Sequence, residues 1–106
     1  MSDMGNQLVA AIFKALAHPT RVQIVKLLKE KPLCVCEILP QLDSEQSNTS
    51  QHLSVLKNQG IVESRKDGSM VIYRITSPDV IKMIELAESI ILTQLEETKA
   101  SLARKE

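Results

Sequence analysis

Leu8, Ile12 and Leu16 recur every four residues near the start of the chain, with Val9 and Phe13 beside them. That spacing returns to one face of a helix at each turn, so it predicts an amphipathic helix over about 5–16. Pro19 suits the first turn of a second helix, about 19–30, whose inner side carries Val22, Ile24, Val25, Leu27 and Leu28. Pro32 ends that segment. A short third helix is expected over about 34–42 with Ile38, Leu39 and Leu42 inward, and Pro40 loosens its last turn. Asp43 with Gln46 three residues on fits a capping box, and Ser44 is an alternative cap. A fourth helix, about 46–58, is apolar at Leu53, Val55 and Leu56 and stops at Gly60.

Two β-rich runs follow, Ile61 to Lys66 and Met70 to Ile75, and Asp67-Gly68-Ser69 between them is a hairpin turn signal. Ser77-Pro78 then opens a long final helix, about 78–103. Val80, Ile84, Ala87, Ile91, Leu95 and Leu102 form its stripe, widened by Ile81, Ile90 and Leu92. The expected fold class is therefore mainly α with a small β-hairpin: five helices and a two-stranded wing over about 61–75. A length of 106 residues predicts one domain, 1–106.

Hydrophobic residues make up 43% of the chain, and only Phe13 and Tyr73 are aromatic, so the core is built from Leu, Ile and Val. The apolar band of the last helix is too wide for one small neighbour, which calls for a partner chain. The first twenty residues lack a basic start followed by an apolar run, and no apolar stretch approaches a membrane span of about 18 residues. A cytoplasmic protein that does not enter a membrane is expected, with its thiols reduced at rest.

Formal net charge is zero, but its distribution is uneven. Residues 1–33 carry five bases and two acids, and residues 44–76 four bases and three acids; residues 34–43 and 77–106 are each acidic by two. Such asymmetry permits a basic face for nucleic acid. The first turns of the fourth helix, Gln46 to His52, hold no apolar residue. Two short helices, a third polar-faced helix and a basic hairpin, in that order, describe a winged helix-turn-helix, in which a recognition helix enters the major groove by its N-terminal residues. Gln46, Asn48, Gln51 and His52 offer hydrogen bonds to base edges, and Ser47 and Ser50 reach bases or phosphates. Lys57, Arg65, Lys66 and Arg74 would hold phosphate. The competing reading is a merely solvated helix face.

Phe13-Lys-Ala-Leu-Ala-His-Pro-Thr-Arg21 with Val22-Gln-Ile-Val-Lys-Leu-Leu28 resembles the opening of the ArsR/SmtB family of repressors. So do Ser50-Gln-His-Leu-Ser-Val-Leu-Lys57, Gly60-Ile-Val62, and the wing from Arg65-Lys-Asp-Gly68 to Val71-Ile-Tyr-Arg74. The likeness covers roughly residues 8–95. It implies a homodimer, joined through the first and last helices, that binds an inverted-repeat operator in double-stranded DNA and leaves it when an inducer binds. Leu8, Ile12, Ile84, Ala87, Ile91 and Leu95 are the interface candidates. Such families often place Gly-Leu-Ser before the recognition helix, where this chain has Asp43-Ser44-Glu45.

Cys34-Val-Cys36 holds the two cysteines of the chain. It resembles the third-helix Cys-x-Cys of arsenic- and cadmium/lead-sensing members. Thiophilic ions prefer thiolates, so the pair is a candidate metal site. Residues two apart in an ideal helix point about 200° apart, so one ion can be clasped only if the first turn unwinds or Cys34 lies ahead of the helix. Closing the site would then distort the helix expected to pack beneath the recognition helix. The position of a third family cysteine is Leu39 here, and the last helix has no histidine. The expected inducer is a trivalent metalloid, As(III) or Sb(III), or another soft ion. An oxidant or reactive sulfur species closing a disulfide is the alternative. A third alternative is a pair of small structural residues in a protein-interaction module. His18 is expected as a cap or surface residue. No cofactor is expected for folding, and no catalytic arrangement is evident, so the chain is not expected to be an enzyme.

Overall fold

The computed structural model describes residues 3–42 and 46–104, with the side chains of residues 46 and 47 outside that description. The capping candidates Asp43 and Ser44, and the Asp43-Ser44-Glu45 departure, lie outside the described residues, as do the side chains of Gln46 and Ser47. Among the described residues there are five α-helices: α1 (Asp3–Leu16), α2 (Pro19–Leu28), α3 (Val35–Ile38), α4 (Gln46–Asn58) and α5 (Pro78–Arg104). They accompany three strands, β1 (Leu33–Cys34), β2 (Val62–Asp67) and β3 (Met70–Ile75).

The expected winged helix-turn-helix is present, with two differences. First, the wing sheet has three strands rather than two, in the order β1-β3-β2, all antiparallel. β1 is only two residues long, too short for alternation to mark it in the sequence. Second, the expected helix over about 34–42 is a single turn, α3, followed by a 3-10 turn at Leu39–Gln41. Pro40 lies inside that turn and lacks the N–H a continuing α-helix needs.

The core is aliphatic. Ile24, Val25 and Leu28 of α2 meet Leu53 and Leu56 of α4, Leu33 of β1, Ile38 of α3, Ile61, Val62 of β2, and Val80 and Ile84 of α5. Two glycines adopt positive φ where the chain must turn. Gly60 (φ 73°) ends α4, with its N–H on Lys57 O at 2.9 Å and the Ile61 N–H on Leu56 O at 3.0 Å. That pairing is the Schellman closure of a helix C-terminus. Gly68 (φ 65°) takes the first of two positions between the paired residues Asp67 and Met70, where a tight hairpin tolerates a left-handed backbone.

Only the first third of α5 reaches this core. Val80 and Ile84 are buried, whereas every residue from Ser89 to Arg104 is exposed. Glu85 and Glu88 are half-exposed and tie α5 to α2, through Lys29 at 3.3 Å and Lys26 at 2.6 Å. Two of the lysines behind the basic N-terminal stretch are thereby matched by acids.

Candidate nucleic-acid interface and thiol pair

One side of α4 is anchored and the other is open. Thr49, Leu53 and Leu56 are essentially buried. Asn48, Ser50, Gln51, Ser54, Lys57 and Asn58 are exposed. Ser50, Gln51, Ser54, Lys57 and Asn58 recur at three- and four-residue steps, so their side chains share one polar surface. Ser54 and Asn58 were missed from sequence, although their spacing from Gln51 and Ser50 was the available signal. The polar run that begins at Gln46 drew attention to consecutive residues, but only one side of a helix can face a groove.

His52 corrects the expectation that it offers a hydrogen bond to a base. It is 8% exposed and turned into the body of the protein. Its Nδ1 accepts a hydrogen bond from Arg21 Nε on α2 at 3.1 Å, and its ring lies 4.3 Å from that of His18, centroid to centroid. An Nδ1 that accepts carries no proton, so this contact requires the neutral imidazole. Burial first, then the neighbouring His18 and the Arg21 cation, holds the His52 imidazole below its ordinary range. His18 caps α2, its Nδ1 accepting from the Thr20 N–H at 3.1 Å. Arg21 also donates through Nη1 to Ala15 O at the end of α1, so one guanidinium links three helices.

The wing presents Arg65 and Lys66 near its tip, both exposed. Arg74 is different. It stands directly opposite Glu63 in the β2–β3 register, and its guanidinium is engaged by the Glu63 carboxylate. A cross-strand pair of opposite charge neutralises Arg74 locally, which sets it apart from the two cations at the tip.

Cys34 lies ahead of α3, not in it. Its backbone is extended (φ −79°, ψ 161°), and its N–H donates to Glu37 Oε1 at 3.0 Å. Placing Cys34 outside the helix removes the 200° problem of the ideal spacing. The Cα atoms of Cys34 and Cys36 are 5.2 Å apart and their sulfurs are bonded to each other. Cys34 is 2% exposed and Cys36 is exposed. A small cleft of about 240 Å³ separates Cys34, Val35 and Cys36 from Ser69, Met70 and Val71 of the wing. Among the described residues, no three His, Cys, Asp or Glu side chains cluster to hold a metal ion.

The sequence and the fold resemble those of known proteins. The family model for bacterial regulatory proteins of the arsR family matches residues 18–64. The HTH-type transcriptional regulator Rv0081 of Mycobacterium tuberculosis is 39% identical over 97 residues, covering 91% of this chain and 85% of its own length. Its crystal structure superposes with a TM-score of 0.79 over 87% of this chain and 93% of that one. This chain belongs to the arsR family. The cadmium resistance regulator CadC of Listeria innocua is 40% identical over 81% of this chain and 73% of its own length. The homodimeric winged helix-turn-helix DNA-binding domain Mb0332 of Mycobacterium bovis is 32% identical, with a TM-score of 0.78 over 92% of this chain and 93% of that one. The relatives are transcriptional regulators, and the family is not one of enzymes.

The segment matched by the arsR-family model spans α2, the thiol pair and α4. It stops short of α1 and α5, which carry the interface candidates. Leu8, Ile91 and Leu95 are 62%, 53% and 60% exposed, and Ala87 is exposed as well. Ile12 is half-buried and packs on the core. Ile84 is a correction: it is 9% exposed and belongs to the core of its own chain, because α2 closes over it. No single helix among the described residues is long and apolar enough to cross a membrane.

Proposed function

We propose that this arsR-family regulator is a cytoplasmic homodimeric repressor. It binds an inverted-repeat operator in double-stranded DNA and releases it when the Cys34–Cys36 pair is oxidised. Asn48, Ser50, Gln51 and Ser54 of α4 face the major groove, while Lys57, Arg65 and Lys66 hold phosphate. Two copies join through α1 and α5, covering Leu8, Ala87, Ile91 and Leu95. The exposed apolar length of α5 supports this, as does the homodimeric state of the Mycobacterium bovis relative.

The observation that carries the switch is the position of Cys34 ahead of α3, where its sulfur meets that of Cys36. It reverses the order of inducers expected from sequence and favours disulfide closure over metalloid capture. The exposed Cys36 reacts first. Its thiolate attacks a peroxide oxygen, the O–O bond breaks, and the alcohol or water leaves with a proton. Cys36 is then a sulfenic acid. The Cys34 sulfur displaces the hydroxide, which takes the Cys34 proton and departs as water, and the disulfide is formed. A polysulfide acts similarly through sulfur transfer to Cys36, after which Cys34 displaces hydrogen sulfide.

A second reading keeps a soft ion as inducer. It is favoured by the likeness to the cadmium resistance regulators and by the convergence of both sulfurs on one side. A third ligand would then come from solvent, a small thiol or another chain. Operator release measured in parallel with peroxide, polysulfide, arsenite and cadmium separates the readings. Peroxide and polysulfide are expected to release the reduced protein, and Cys34→Ser with Cys36→Ser is expected to bind DNA and ignore both. Full response by the double variant would overturn the thiol switch. Release by arsenite or cadmium alone would select the second reading.

A further inference from the structure

The thiol pair is wired into the wing more directly than into the recognition helix. β1 is the edge strand of the sheet and its strand partner is β3. In the register, Cys34 stands opposite Ile72, and Ile72 stands opposite Arg65 on β2. The next row is Leu33, Tyr73 and Ser64. One sulfur of the pair and an exposed wing cation thus share one row of a three-stranded sheet. With neighbouring strands about 4.8 Å apart, that row is about 10 Å across.

Cys34 carries three constraints at one residue. It is the β-partner of Ile72, it starts α3 with its N–H held by Glu37, and its sulfur is bonded to Cys36. A change at the sulfur therefore acts directly on a strand of two residues, whose other member, Leu33, is held in the core. The main packing partners of α3 are likewise β1, β3 and the adjoining 3-10 turn. Across the cleft beside the sulfurs lie Ser69, Met70 and Val71, and the cleft leaves the exposed wing tip room to shift. By contrast α4 is seated in the body by Thr49, His52, Leu53 and Leu56, all buried.

We propose that the wing is the output of the thiol pair: opening or closing the Cys34–Cys36 bond resets the β1–β3 pairing and moves Arg65 and Lys66 against the operator phosphates. The recognition helix keeps its place in both states. This rests on the thiol-switch reading above and adds the route by which that switch reaches DNA.

A comparison of operator affinity between reduced and peroxide-oxidised protein, repeated in variants, tests the route. The wild type is expected to lose affinity by about tenfold or more on oxidation, a usual size for coupling between two sites. Arg65→Ala with Lys66→Ala is expected to bind more weakly when reduced and then to change by no more than about twofold on oxidation. Gln51→Ala is expected to bind more weakly in both states while keeping the wild-type ratio. A full wild-type ratio in the wing variant, or its loss in Gln51→Ala, overturns the wing route and leaves the thiol switch standing. An unresponsive wild type overturns both. Amide hydrogen exchange gives an independent readout: protection is expected to differ between the two redox states at Ile72 and Tyr73 and to stay equal at residues 52–56. The opposite pattern overturns the proposal.

Discussion

The proposed recognition helix, α4, and the wing are attached to the protein in different ways. α4 buries Thr49, His52, Leu53 and Leu56, and its end is closed by the Gly60 turn. The wing runs out from a buried base at Ile61 and Val62 to residues 65–70, all exposed, and its far edge is held by a strand of two residues. Deep burial fixes α4 in the body of the protein. Shallow attachment makes the wing a part whose position a small local change can alter. The thiol pair adjoins the wing, with Cys34 buried and Cys36 exposed.

The sharpest way to break this comparison is to loosen the fixed side. Leu56 is fully buried, so Leu56→Ala should cost about 2–5 kcal/mol of stability by the transfer and cavity terms. Chemical unfolding measures it, and a loss below about 1 kcal/mol would mean that α4 is not seated as described. The next largest effect is expected on reading rather than folding. Gln51→Ala should weaken operator binding by about 1–3 kcal/mol and binding to unrelated duplex much less. Equal losses on both DNAs would remove Gln51 from base recognition.

A smaller effect concerns the joint between α4 and α2. Folding holds His52 below its ordinary value of 6.5, so the unfolded chain binds the extra proton first. Stability should therefore fall as pH is lowered through about 6.5 and level off once the folded protein is protonated too. His52→Gln should flatten that part of the profile in thermal melts between pH 5 and pH 8, and an unchanged slope would assign it to another group. The smallest effect belongs to the wing. Lys66→Ala should lower the salt slope of operator binding by about 1, without a change in melting temperature. A slope equal to that of the wild type would take Lys66 off the phosphate backbone.

Much of the fold was legible because periodicity is local. The stripe of α1, the apolar inner side of α2, the Gly60 stop and the Asp67-Gly68-Ser69 turn each depend on residues a few positions apart. The same holds for the polar start of α4. What failed to show was any feature set by a distant partner. β1 exists because Leu33 and Cys34 pair with Tyr73 and Ile72, some forty residues on. His52 looked like one more polar residue in a polar run, and the Arg21 donor that turns it inward lies on another helix. Arg74 looked like a third phosphate contact on the wing until the register set Glu63 across from it.

By itself the sequence determined the order of helices and hairpin, the aliphatic composition of the core, the polarity of α4 and the presence of two thiols two residues apart. Those are properties of spacing and side-chain chemistry, carried by short stretches of chain. Tertiary structure alone decided that Cys34 ends a strand instead of beginning a helix, that its sulfur reaches Cys36, and that the pair shares a sheet row with Arg65. Backbone hydrogen bonds between remote segments make those choices, because a strand of two residues has no pattern of its own and takes its conformation from the strand beside it.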